Sequence, residues 1–230
     1  MIVILGLDGL EYEYVEEFKC RHLMQKCYGK TDISEFSEPR TVVLWSSFLT
    51  GRNTEKQALK DLWNFSVKPE ETFFSNFKSW HAIDVPGFSY IKERHEKERE
   101  MLKAFFDGKA GVEEYDEIAF ENHAFVKQKF FEALEKEYEI LMGYFALADV
   151  IGHLSFGIKL KMKLIYQELD EIAKIARKKA DKLLIISDHG MRAIGRFGDH
   201  SDYGFWSFSE KIKLENPKIT EFRKLIESLK

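Results

Sequence analysis

The sequence predicts an α/β protein, with a mostly parallel central sheet flanked by helices. Three observations carry that expectation. Residues 2–5, 140–147 and 183–186 are short apolar runs without clean alternation, as in strands covered on both faces. A long helical pattern over 159–180 separates the last two runs, so 140–187 reads as a βαβ unit with a right-handed crossover. Each apolar run also leads into an acidic residue with glycine or histidine close by.

The elements follow in chain order. Residues 2–5 open the chain as a strand. Pro39 sets an extended entry to a short apolar helix at 42–50, which Gly51 stops, with Thr41 at its N-terminus. Residues 52–122 are the least regular, holding Pro69, Pro86, Gly87, Gly108, Gly111 and aromatics without a clear period. Residues 91–107 form a charge-rich helical pattern. Residues 123–137 place Val126, Phe130, Phe131 and Leu134 on one helical face. Residues 159–180 carry Leu160, Leu164, Ile165, Leu169, Ile172, Ile175 and Ala176 as an apolar stripe. The chain thus reads as one domain over 1–230, with an irregular helical insertion or cap at about 52–138. Neither a repeat nor a low-complexity linker interrupts it.

Composition removes several classes. The chain has 230 residues, 44% of them hydrophobic, and a formal net charge of −4, so it lacks the basic footprint of a nucleic-acid binder. Twenty Phe, 9 Tyr and 4 Trp supply too much apolar surface for a disordered chain. The apolar runs are too short to cross a bilayer. Residues 1–7 have no basic segment before them and Asp8 follows at once, unlike a signal peptide. Cys20 and Cys27, spaced C-x6-C, do not make a zinc set and read as reduced thiols, which places the chain in the cytoplasm. The oligomeric state is left open.

The chemistry gathers where the strands end. The first runs into Gly6-Leu7-Asp8-Gly9, the second precedes Asp149 and His153, and the third runs into Ser187-Asp188-His189-Gly190-Met191. In a parallel sheet these carboxyl ends share one rim, where open α/β sheets bind ligands. A single Asp after a strand reads as a helix N-cap. Three, two with a histidine nearby, read as a shared polar site. Asp149 and His153 stand at i and i+4, so a helix would let them hold one cation or form a salt bridge. Asp188 and His189 cooperate only if the chain has turned at Ser187, which Gly190 permits. A glycine-punctuated loop over 195–204 offers His200, with Asp199 and Asp202 as rival ligands. His22, His81, His95 and His123 read as surface or filler.

Three Asp and three His suit two divalent cations, Zn²⁺ or Mn²⁺ rather than Ca²⁺. Two such cations outweigh three carboxylates, which favours an anionic substrate such as a phosphate ester. Two metals can stabilise both the attacking and the leaving oxygen of an in-line displacement. Thr41 is either a plain N-cap or a nucleophile on a metal, with helix N–H groups facing the phosphate. Ser46, Ser47 and Thr50 fall in the helix interior. The aromatics between 62 and 90, including Trp63, Phe73, Phe74 and Phe88, read as core or a dimer face, with a nucleobase pocket as the alternative.

In this order the segments resemble the alkaline phosphatase superfamily, in particular its type I phosphodiesterase/nucleotide pyrophosphatase branch. GLDG resembles the segment of the first metal-ligand Asp. TVVLWSSFLTG resembles the nucleophile segment T-P-P-A-W-T-S-F-L-T-G, aligning Thr41 with the nucleophile. D-x-x-x-H at Asp149 and His153 resembles one metal's ligand pair, SDHGM is the most specific piece, and GDHS supplies His200. The resemblance implies one metal on Asp8, Thr41, Asp188 and His189, and another on Asp149, His153 and His200. It implies attack by Thr41, a phospho-threonine intermediate and a small phosphorylated substrate, a nucleotide among the candidates. Asn64 is the nearest match to the phosphate-binding Asn of the diesterase branch. Val42 and Val43 replace two family prolines, the chain is shorter than most relatives, and the sulfatase motif C/S-x-P-x-R is absent. The expected function is a two-metal phosphodiesterase. Its rivals are a phosphomonoesterase or phosphomutase of the same superfamily, and a non-catalytic metal- or phosphate-binding protein.

Overall fold

Strand β1 (Ile2–Leu7) lies inside a six-stranded sheet, between β4 (Ile140–Phe145) and β5 (Lys182–Ile186), and pairs in parallel with both. The computed structural model describes residues 1–230. Beyond β4 the sheet ends in parallel β3 (Trp80–Ile83). Beyond β5 it continues antiparallel through β8 (Tyr203–Phe208) to β2 (Cys27–Asp32). Strands β6 (Met191–Ile194) and β7 (Phe197–His200) form a separate hairpin. The helices are α1 (Tyr12–Glu17), α2 (Arg21–Met24), α3 (Thr41–Thr50), α4 (Glu55–Ala58), α5 (Lys92–Phe106), α6 (Val112–Leu134), α7 (Leu147–Ser155), α8 (Lys159–Lys179) and α9 (Phe222–Ser228). None is long and apolar enough to cross a membrane.

The three expected strands are all present, with one change of neighbours. The βαβ unit from 140 to 187 does not pair its own strands, because β1 lies between β4 and β5. Residues 146–147 leave the second strand, and α7 starts at Leu147.

Side-chain alternation explains why the strands look uniformly apolar. Val3, Leu5 and Leu7 enter one core with residues of α6, α7 and α8, while Ile2 and Ile4 enter a second with residues of α3 and α9. Every residue of β1 is therefore buried. On α8 the stripe is narrower than expected. Ile165, Leu169, Ile172 and Ala176 are buried, whereas Leu160 and Leu164 are 72% and 60% exposed. Helix α6 starts well before residue 123, at Val112, where the Glu114 carboxylate accepts from Gly111 N–H.

Residues 52–138 supply more than cover. They hold α5 and α6 but also β3, an edge of the central sheet. Strands β2, β3 and β8 escape sequence reading for different reasons. Strand β2 is a polar edge, β3 is four residues long, and β8 continues a glycine-punctuated stretch.

Candidate metal centre and cavity

Three loops at the carboxyl ends of β1, β4 and β5 build the site. Asp8 follows β1, its N–H bonded to Phe145 O at 3.0 Å. Gly9 then turns with φ 67, and a Cβ there would lie 2.8 Å from the Asp149 Cα, so the loop passes directly against α7. Leu10 N–H donates to Ser187 Oγ at 3.0 Å, and Ser187 Oγ donates to His189 O at 2.6 Å. Glu11 accepts from Met191 N–H at 3.0 Å. These bonds hold the turn at Ser187, so the adjacent Asp188 and His189 are both buried at the site. The β6–β7 hairpin delivers His200 over α7.

Six of the seven metal-ligand candidates meet. Asp149 lies between two imidazoles, with Oδ2 3.3 Å from His153 Nε2 and Oδ1 3.3 Å from His200 Nε2. His189 Nε2 is 3.2 Å from Asp8 Oδ1 and 3.6 Å from Asp188 Oδ2. His189 Nδ1 is 3.0 Å from Gly190 O, which assigns its proton to Nδ1 and leaves Nε2 as an acceptor. Potential ligand atoms of Asp149, His153 and His200 lie within 4.8 Å of one another, as do those of Asp8, Asp149 and His189.

These atoms have no hydrogen bonds to satisfy them. Asp8 Oδ1, Asp149 Oδ1, both oxygens of Asp188, His189 Nε2 and His200 Nε2 are buried and unpartnered. Unpaired buried acceptors cost several kcal/mol together. A divalent cation would satisfy carboxylate oxygens and imidazole nitrogens at once, and the mixed O/N set suits one.

Burial and mutual proximity shift the charges of the cluster. Burial, then the Asp149 carboxylate, push the Asp8 carboxyl up to about 7. Burial, then Asp8, push Asp188 well above the usual carboxylate range. For Asp149 burial acts upward, but His153 and His200 hold it well below that range. The Asp149 carboxylate raises His153 to about 9, against burial. Burial, then His200, lower His189 to about 3.

Thr41 stands beside this cluster. It is the first residue of α3, and the N-cap is Arg40, which makes no side-chain cap bond. The plain N-cap reading of Thr41 is therefore replaced. Thr41, Asp8, Asp149, His153 and His200 all line one cavity of about 240 Å³. Ser46 and Thr50 are tied up within α3, donating to Val42 O and Ser46 O, and Ser47 Oγ meets Thr54 Oγ1 at 3.0 Å.

Other candidates lie elsewhere. Asn64 is exposed and does not line the cavity; its Nδ2 donates to Asp61 and its Oδ1 accepts from Lys92 at 3.1 Å. Asp199 is paired with Arg192 at 2.7 Å, and Asp202 is exposed, so neither rivals His200. Of the aromatics, Phe73 and Phe74 are core, while Trp63 lines the cavity and is 56% exposed.

Three residues of the site are not legible in the sequence. Tyr144, inside an apolar strand, donates its hydroxyl to Asp8 Oδ2. Glu11, the N-cap of α1, accepts from Glu13 N–H and also from Met191 N–H and the Tyr203 hydroxyl. His95, expected to be surface or filler, is buried, lines the cavity, and lies between Asp84 Oδ2 at 2.8 Å and Glu98 Oε2 at 2.7 Å. The three-residue spacing of His95 and Glu98 is the one signal that pointed to it.

No protein-family model matches the chain, and no curated protein matches it. Solved structures do. Murine ectonucleotide pyrophosphatase/phosphodiesterase 5 superposes with a TM-score of 0.51 at 15% identity over 85% of this chain. An inactive variant of that protein in complex with AMP gives 0.52 at 13% identity over the same share. The chain covers 58% of the length of each. Ps i-CgsB, solved with a neocarrahexaose, gives 0.50 at 11% identity over 99% of this chain and 71% of its own. The fold of this chain is thus alkaline phosphatase-like, resembling that of the nucleotide pyrophosphatase/phosphodiesterases.

Proposed function

We propose that the protein is a two-metal phosphodiester hydrolase, of phosphodiesterase/nucleotide pyrophosphatase type, with Thr41 as its nucleophile. The observation that carries the reading is the set of six buried, unpartnered donor atoms from three strand ends and the β6–β7 hairpin, of which those of Asp8, Asp149 and His200 belong to residues that line a cavity with Thr41. Asp8, Asp188 and His189 with Thr41 would hold one divalent ion, Zn²⁺ or Mn²⁺, and Asp149, His153 and His200 the other. Bound there, such ions lower the pKa of hydroxyl ligands and offset charge on phosphoryl oxygens.

The chain's own residues do the rest. Thr41 Oγ loses its proton and forms the bond to phosphorus while the ester oxygen of the leaving arm departs and takes up a proton, giving a phospho-threonine that still carries the other arm, and a free alcohol or phosphate. Water then cleaves the phospho-threonine and restores the hydroxyl. The first turn of α3 begins at Thr41, so its free N–H groups and the helix dipole favour the phosphate. Val42 and Val43, at the positions of the two family prolines, lie in the first turn of α3, and Arg40 before it is extended (φ −81, ψ 148). The AMP complex of the murine relative is consistent with a nucleotide as the phosphorylated substrate. The cytoplasmic setting proposed with this reading rests on two free thiols, Cys20 and Cys27.

Turnover of bis(p-nitrophenyl) phosphate by wild type and Thr41→Ala tests the reading. Loss of about a thousandfold or more in kcat is expected on removing the nucleophile. Full turnover by Thr41→Ala would remove Thr41 from the chemistry. Turnover of p-nitrophenyl phosphate alone would shift the assignment to a monoesterase or mutase.

A further inference from the structure

The mouth of the cavity carries cations that the reaction proposed above does not use. Arg99 on α5 lines the cavity with Thr41, its guanidinium 4.0 Å over the Trp63 ring. It forms no ion pair. Its neighbour Glu98 is turned inward to His95 and Asn122. Arg40, one residue before Thr41, is 65% exposed and has only Glu38, at 4.0 Å. Lys92 meets a neutral partner, Asn64 Oδ1, at 3.1 Å, and lines an adjoining cavity that shares Val42, Leu62, Trp63, Tyr90 and Arg99 with the first.

Acidic residues outnumber basic ones, 39 to 35, and Lys103, Lys159, Lys161 and Lys179 all reach carboxylates. Arg99 and Lys92 have no carboxylate within 4 Å, and Arg40 only Glu38 at that limit, beside the cavity that Thr41 lines. The Arg99 guanidinium lies over the Trp63 indole and makes no hydrogen bond, so its N–H groups are free for a phosphate or carboxylate, which a guanidinium binds in bidentate fashion. Stacking also fixes the long side chain before the anion arrives, which lowers the cost of ordering it.

We infer that Arg40, Lys92 and Arg99, with Trp63 as the platform, form a subsite for a second anionic group on the substrate, a phosphate or carboxylate carried beyond the scissile phosphorus. This rests on the hydrolase reading above. Asn64 then acts as a positioning residue for Lys92. Trp63 and Arg99 determine specificity and do not touch the reacting atoms.

Three p-nitrophenyl phosphodiesters test the inference, sharing a leaving group and differing in the other arm: phosphonoethyl, ethyl or trimethylammonioethyl. Wild type should favour the phosphonoethyl arm in kcat/KM. The Arg40→Met/Arg99→Met double variant should cut the ratio of phosphonoethyl to ethyl turnover by about tenfold, mainly through KM. An unchanged ratio would overturn the subsite, because the preference would then come from the metal centre. Calorimetry on the metal-loaded protein separates this from failure of the hydrolase reading. Pyrophosphate should bind the double variant about tenfold more weakly than wild type, with orthophosphate much less affected. That result would support the subsite even if none of the diesters turns over. Equal pyrophosphate affinity in the two proteins would overturn it even if all of them do.

Discussion

Tyr144 on β4 donates its hydroxyl to Oδ2 of Asp8 at the end of β1, while Asp8 Oδ1 remains buried and unpartnered. One oxygen of the carboxylate is thereby held and the other is aimed into the site. Residues that orient a metal ligand in this way typically contribute tenfold to a hundredfold to metal affinity. Tyr144→Phe should weaken binding at the Asp8 site by about tenfold, read by competition with a chromogenic chelator. The apolar ring stays in the core, so the fold should survive. Unchanged affinity would show that the bond has no part in positioning Asp8.

Asp149, His153 and His200 form one donor group and Asp8, Asp149 and His189 the other, with Asp188 Oδ2 3.6 Å from His189 Nε2. His153→Ala or His200→Ala should therefore cost one of two bound metals and most of the activity, while Asp188→Asn should impair the other site. Elemental analysis of the three variants checks this. Retention of two metals in all three would overturn the ligand assignment.

Metal removal should cost stability as well as activity, because the buried carboxylates of Asp8 and Asp188, which burial and neighbouring carboxylates push up, would lose a counter-charge. Anything that binds the folded state alone stabilises it by mass action, about 4 kcal/mol at a thousandfold excess over Kd. Melting in EDTA should fall several degrees below melting with added Zn²⁺ or Mn²⁺. Identical melting curves would argue that the cluster does not hold metal.

His95 gives a pH dependence that does not involve the metal ligands. Burial acts to lower its pKa, but Asp84 and Glu98 overcome it and raise the imidazole to about 9. A raised folded-state pKa means that the protonated ring stabilises the fold. That contribution is fully present below about pH 6.5, the unfolded value, and is lost as pH rises through about 9. It amounts to about 3 kcal/mol for this nearly buried ring. Urea unfolding of wild type should therefore lose stability between pH 6.5 and 9.5. His95→Gln should be less stable at pH 6.5 and show a flatter profile. Parallel profiles in the two proteins would remove His95 as the cause.

Much of the site is legible because its chemistry is local in sequence. Asp149 and His153 need only a helix, and Ser187 to Gly190 need only a turn, so short motifs describe them. The parallel strand ends then bring them to one rim. What the sequence hides depends on distant partners. Tyr144 reads as core because its hydroxyl partner lies on another strand. His95 reads as surface because it sits in a charge-rich helix, although Asp84, held at φ 60 just after β3, reaches it across the insertion. Strand β1 between β4 and β5 is hidden as well, since pairing order follows tertiary packing, whereas apolar runs reveal only that strands exist. Leu160 and Leu164 face outward because they lie beside, and not on, the face of α8 that Met162, Ile165, Tyr166, Leu169, Ile172, Ala173 and Ala176 bury.

The most direct test of the central claim is metal content coupled to turnover. The purified protein, supplied with Zn²⁺ or Mn²⁺, should hold about two ions per chain and hydrolyse bis(p-nitrophenyl) phosphate, both abolished by chelation. A chain that binds neither ion and turns over no phosphoester would contradict the account, and the cluster of Asp8, Asp149, Asp188, His153, His189 and His200 would then have to be explained as scaffold alone.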